Sequence, residues 1–227
     1  MFIGHFGVGF GAKSFAPKIS LGTLFIAAQF LDLLWPTLLL LGIERVQIHP
    51  GATRVTPLIF EHYPISHSLA AVLGWSVLVG AIYFYMRRNR FTAIVIGCLV
   101  ISHWILDVIV HRPDLPLFPG SDTVVGLNAW SSLPLTLAIE LPLFFAGVWL
   151  YARTTEADDK AGKWGLWGLV IFLLTIYAGN IFGPPPPSTD MIAWAGQLQW
   201  LIVLWGYWID KHRHTKLLHA DQVSGII

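Results

Sequence analysis

The sequence predicts an all-α polytopic membrane protein, with about six transmembrane helices and a short N-terminal helix packed into the bundle. Three observations carry that expectation. The 227 residues are 55% hydrophobic and only 12% charged, a balance foreign to soluble domains. Apolar runs long enough to cross about 30 Å of hydrocarbon recur along the chain. Tryptophans such as Trp130, Trp164 and Trp208 gather at the ends of those runs, where indoles anchor at the interface.

The elements follow in order. Residues 2–16 are apolar and Gly-rich but too short to span comfortably, and they end at Pro17-Lys18. Gly7, Gly9 and Gly11 suit close helix packing; no strand precedes them, so they are not a phosphate loop. Residues 19–43 form the first expected span and carry Asp32. A polar connection with Pro50, Pro57 and Pro64 leads to a span over 66–86, for which Ser66 is a plausible cap. The basic turn Arg87-Arg88-Asn89-Arg90 makes the next span, 91–111, its antiparallel neighbour. A Pro- and Gly-rich loop, spans over 133–151 and 164–182, a four-proline turn and a last span over 191–209 complete the bundle. Residues 1–210 read as one helical domain, with its metal-site half in 1–120, followed by a polar tail over 211–227 expected to fray. No internal repeat and no cleavable signal is evident.

Charge sets orientation and excludes one class of function. Eleven of the 14 Lys and Arg fall on one side if the turn at Lys13/Lys18 and the C-terminal tail are cytoplasmic, leaving Arg45, Arg54 and Arg112 outside. The net charge is +1 and no basic face follows a phosphate backbone, so nucleic acid is excluded as a partner. The lone Cys98 cannot form an intrachain disulfide. The sequence leaves the oligomeric state open.

The chemistry concentrates in Ser102-His103-Trp104-Ile105-Leu106-Asp107-Val108-Ile109-Val110-His111. His103, Asp107 and His111 are spaced i, i+4, i+8, which stacks two imidazoles and a carboxylate along one helix face. Each ionisable group at such depth costs roughly 2.5 kcal/mol or more, and such groups mark function more often than packing. His67 lies about 20 residues before the basic turn and Asp107 about 17 after it, so a rise of about 1.5 Å per residue brings them to similar height. His62 is either a further ligand or a solvated loop residue. Asp32, alone in an apolar span, and His5 reach the same depth if residues 2–16 turn back at Pro17.

Residues 1–120 carry a resemblance. His62-Tyr63-Pro64-Ile65-Ser66-His67-Ser68 resembles the His-Arg-Gly-x-Thr-His-Ser signature of the YdjM-like bacterial inner-membrane proteins, described as membrane-bound metal-dependent hydrolases. Ser102-His103-Trp104-Ile105-Leu106-Asp107 resembles that family's Ser-His-x-x-x-Asp element. Leu31-Asp32-Leu33 is similar to part of its Pro-Asp-Ile-Asp-His element, and His5 matches a His near its N-terminus. The chain departs from the pattern at Tyr63-Pro64, at Leu31, and at Leu34 and Trp35, which replace an Asp and a His. The resemblance implies a multi-pass protein of the bacterial inner membrane with a divalent metal.

The expected ligands are therefore His5, Asp32, His62, His67, His103 and Asp107; imidazole and carboxylate suit zinc, which is favoured, or manganese or iron, and the absence of thiolate argues against a purely structural zinc site. His111 or Asp114 would relay protons and Arg112 would hold an anionic substrate. A mouth at the outer headgroup level points to membrane lipids as partners and to a phospholipid or lipid-linked phosphate ester as substrate. A permease and a non-catalytic scaffold are the competing classes. Glu140 is either an outer partner of the site or a partner for Asn128, Trp130 or Asn180. His212, His214 and His219 read as a solvated tail.

Overall fold

The computed structural model describes residues 1–216. It is a helical bundle: α1 (Ile3–Ala12), α2 (Leu21–Ala28), α3 (Phe30–Leu40), α4 (Leu69–Arg87), α5 (Arg90–Val110), α6 (Leu133–Thr154), α7 (Lys160–Phe182), α8 (Thr189–Gln197) and α9 (Gln199–Asp210). Three short antiparallel ribbons cap its ends: β1 (Arg45–Ile48) with β2 (Leu58–His62), β3 (Leu115–Pro116) with β4 (Val124–Val125), and β5 (Thr155–Ala157) with β6 (Arg213–Thr215).

Four of these helices, α4 to α7, are long and apolar enough to cross a membrane, and α2 with α3 makes a fifth if the bent pair is one span. The expected sixth span, 191–209, is instead α8 and α9, broken at Leu198. Neither half is long enough to cross alone. The tail also differs from expectation at its start: Arg213–Thr215 pairs with Thr155–Ala157 rather than fraying. Asp159 takes His212 at 2.8 Å, and Asp158 takes His214. His219 lies outside the described residues.

Caps explain most helix boundaries. Ser68, Asn89, Ser132, Asp159 and Ser188 each accept a first-turn backbone N–H with the side chain, which removes one of the donors a helix start leaves orphaned. Arg88 ends α4 with φ 55° and turns the chain directly into α5.

Small residues bring α1 into the core. A side chain at Gly7 would meet the Cα of Phe144 at 2.7 Å, and one at Gly147 would strike the Gly7 carbonyl. The close crossing of α1 and α6 buries Phe6 and Phe10 against Phe25, Phe144 and Tyr151. Thus α1, too short to span, is enclosed by protein, which satisfies the rule that such a segment must not face lipid.

At the end bearing β5 and β6, Lys13 ties the turn after α1 to the end of α9. Its Nζ donates to Asp210 Oδ2 at 2.6 Å and to the Ile19 carbonyl at 2.7 Å. Asp210 also accepts from Tyr151 Oη at 2.6 Å and from the Leu21 amide at 2.7 Å.

Candidate metal centre

The site is assembled from four segments, and backbone geometry explains why each side chain arrives. Helix α2 stops at Ala28, and α3 departs at 60°. A helix end leaves carbonyls without helical partners, and His103 Nδ1 takes that of Ala28 at 2.8 Å. One turn into α3, Pro36 has no N–H to give to the carbonyl of Asp32. Gln199 Nε2 supplies a bond there instead, at 3.3 Å. The bend thereby turns Asp32 inward and holds it from α9.

His67 is fixed by a relay that the sequence did not announce. Its Nδ1 lies 2.7 Å from Ser66 Oγ, and that hydroxyl donates its only hydrogen to Glu44 Oε2 at 2.5 Å. Ser66 must therefore accept from His67 Nδ1–H. Glu44 is itself buried and held by the amides of Ile65 and Ser66, both at 2.8 Å. From the other side, Trp104 Nε1 donates to the His67 carbonyl at 2.9 Å.

These second bonds decide which ring nitrogen faces the centre. A backbone carbonyl only accepts, so His103 Nδ1 carries a hydrogen, and in its neutral form the ring turns a lone pair at Nε2 inward. That Nε2 has no hydrogen-bond partner among the described residues. It stands 3.2 Å from Asp107 Oδ2 and 3.6 Å from Asp32 Oδ1. His67 Nε2 stands 3.6 Å from Asp107 Oδ2 and 3.7 Å from Asp32 Oδ1. With both rings neutral, two lone pairs and two carboxylates face this space, a set of groups that favours a cation among them. Asp32, His67 and His103 bring three ligand atoms within 4.8 Å of one another, and His5, His103 and Asp107 do the same, so the residues present offer three-ligand sets of imidazole and carboxylate of the kind a divalent ion takes.

His5 sits behind this face. Its Nε2 lies 3.1 Å from Asp107 Oδ1, its ring stacks on His103 with centroids 3.5 Å apart, and its Nδ1 is buried without a partner among the described residues. Stacking at that distance suits neutral rings far better than two imidazolium ions. The Met1 α-amino group meets the same Asp107 oxygen at 2.5 Å. Asp107 therefore faces two ways, Oδ2 toward His67 and His103 and Oδ1 toward His5, while His103 belongs to both candidate ligand groups.

His111 caps α5 and stands at the rim. Its Nδ1 pairs with Asp114 Oδ1 at 3.0 Å, which points Nε2 back toward Asp107 Oδ1 at 4.0 Å. Asp114 also accepts from Tyr63 Oη at 2.9 Å and from Arg112 Nε at 3.2 Å. Burial and the Asp114 charge push the Tyr63 phenol well above its ordinary value, so it remains a donor.

Of the expected residues, His5, Asp32, His67, His103 and Asp107 come together. His62 does not: it is exposed at the end of β2, beside the equally exposed Glu61, and is paired across the ribbon with Arg45. Arg112 is held by Asp114 and does not line the cavity that reaches the centre. Glu140 binds neither the centre nor Asn128, Trp130 or Asn180; it accepts from the Phe2 amide at 3.1 Å and anchors the start of α1. Glu44 was missed because its spacing from His67 has no local period, although an acid near a His-bearing loop was a signal.

The model of the YdjM inner membrane protein family matches residues 7–183. The chain belongs to this family. It is accordingly an inner-membrane protein, and the YdjM match extends well past the 1–120 stretch that carries the motifs, to include α6 and α7. His5 lies just before the matched stretch, and α8 and α9 lie after it. Comparison with curated proteins and with solved structures finds no match.

Proposed function

We propose that this YdjM family member is a membrane-embedded metal-dependent hydrolase that acts at the outer face on a phosphate ester. The observation that supports the reading is the set of four nitrogen-to-oxygen separations of 3.2 to 3.7 Å around His67, His103, Asp32 and Asp107. Both imidazoles have the opposite nitrogen committed to an acceptor, the usual support of a metal-ligating His. Imidazole and carboxylate without thiolate suit zinc, with manganese or iron as alternatives.

A divalent ion held there would acidify water and polarise an ester oxygen. The chain's own groups do the rest. Glu44 and Ser66 hold His67 in one tautomer, and the Ala28 carbonyl does the same for His103. His111 Nε2, aimed inward by Asp114, is within reach of a group bound at the Asp107 rim and holds or releases the proton that the reaction moves. Phe60 and Trp130 pack on its ring at 4.8 and 4.3 Å and keep water from its faces.

Elemental analysis of detergent-purified protein tests the reading. About one zinc, manganese or iron per chain is expected, falling below a tenth of that in the double variant His103→Ala/Asp107→Ala. Absence of metal from the native chain after purification without chelator and with metal added back would overturn it, as would failure of the loaded protein to hydrolyse p-nitrophenyl phosphate or any lipid phosphate ester supplied in vesicles.

A further inference from the structure

The centre opens into a cavity of about 610 Å³, within the ordinary range for a small-molecule site. Its two ends differ in chemistry. Asp32, His67, Asp107 and His111 form the polar end, while Phe172, Ile176, Leu201, Ile202 and Trp205 line the other. A water-soluble ester has no use for the second end.

The apolar end also reaches the outside of the bundle at the wrong depth for water. Phe172 is 42% exposed and Leu201 is 60% exposed, so both are cavity wall and bundle surface at once. Leu201 precedes Asp210, the last residue of α9, by nine residues, about 13 Å along the helix. Phe172 stands twelve residues into the 23 of α7, near the middle of that span. The opening therefore faces hydrocarbon. The break at Leu198 that splits α8 from α9 forms its upper edge. On the cavity walls, the indole N–H groups of Trp35 and Trp205 are buried without a partner among the described residues. Such donors are costly to bury unmet and suit ester or phosphate oxygens.

We infer that this cavity is a lateral port between α7 and α9, through which a membrane lipid with an anionic phosphate-ester headgroup enters. One alkyl chain lies against Phe172, Ile176, Leu201 and Trp205, and the headgroup meets the His/Asp cluster. The inference rests on the hydrolase reading for what happens at the polar end, but the position of the chain is read without turnover.

The test uses full-length protein in phosphatidylcholine vesicles doped with phosphatidylglycerol that carries a diazirine near the end of one acyl chain. After illumination, peptide mass mapping is expected to find label at the cavity faces of α7 and α9 at least fivefold denser than at the lipid-facing Val77 and Ile82 of α4. The variants Ile176→Trp and Leu201→Trp, the second at an exposed position that tolerates an indole, should each lower that label severalfold with metal content unchanged. Even labelling of all lipid-facing helices, or label at the port that neither variant lowers, overturns the port. Dense, variant-sensitive label on a chain that binds no metal upholds the port for the acyl chain but overturns the seat of the anionic headgroup at the cluster and the hydrolase reading with it; metal and p-nitrophenyl phosphate turnover with even label overturn the port alone.

Discussion

Two buried polar clusters stand at opposite ends of the same bundle, and they are built on opposite plans. In the knot of Lys13, Tyr151 and Asp210, each oxygen of the carboxylate meets donors at 2.6 to 2.7 Å and the ammonium has two acceptors. No polar side-chain atom of the three is buried without a partner. In the cluster of His5, Asp32, His67, His103 and Asp107, the outward nitrogens of His67 and His103 are already engaged, while His5 Nδ1 and His103 Nε2 have no hydrogen bond among the described residues. A closed cluster of this kind joins segments; an open one keeps polar atoms free, and on the proposed reading it receives a cation. That the same chain builds both shows that burial of charge alone does not single out a site; the unsatisfied polar atoms are what set the second cluster apart.

The largest expected effect is on the closed cluster. Asp210→Ala strands the Lys13 ammonium and should lower stability by about 3 to 5 kcal/mol, read as the unfolding midpoint in detergent, while metal per chain stays at the native level. If metal vanished as well, the two clusters would be one cooperative unit and the contrast would fail.

A smaller effect sharpens the open cluster. Ser66→Ala breaks the relay from Glu44 to His67 without touching a ligand, and metal affinity should fall by about 10- to 100-fold, measured by competition with a chelating dye. Ser66→Thr, which keeps the hydroxyl, should restore most of it. Unchanged affinity in the Ala variant would mean that His67 needs no fixed tautomer.

The smallest effect concerns the expected ligand that the fold sets aside. His62→Ala should change neither metal content nor unfolding, the latter by no more than about 0.5 kcal/mol as for other surface substitutions. A loss of metal in that variant would place His62 at the centre in a conformation different from the β2 ribbon.

Much of this was legible in the residues. The helices α4 to α7 follow from apolar runs and their caps, and the alignment of His103 with Asp107 follows from helical spacing, because both depend on neighbours within a turn or on bulk hydropathy. Glycines 7, 9 and 11 likewise foretold the close packing of α1. The depth of His5 and Asp32 came from counting residues to a turn, which works when the connections are short.

What the tertiary structure alone decided lies where partners are distant in sequence. Glu44 reaches Ser66 only through the β1–β2 connection, and no periodicity links them. The bend at Gln29 matters because it frees the Ala28 carbonyl for a helix some 75 residues away. The last apolar run had the composition of a span, yet it breaks at Leu198 and turns Gln199 toward Asp32. The residues on their own pointed to a membrane-spanning helical bundle with a histidine and carboxylate face, because hydrophobicity and helical period are local quantities. Which of those groups converge, which nitrogen each ring presents and where the cavity opens depended on packing between helices, where the position of each donor is set by a partner that the local chain does not contain.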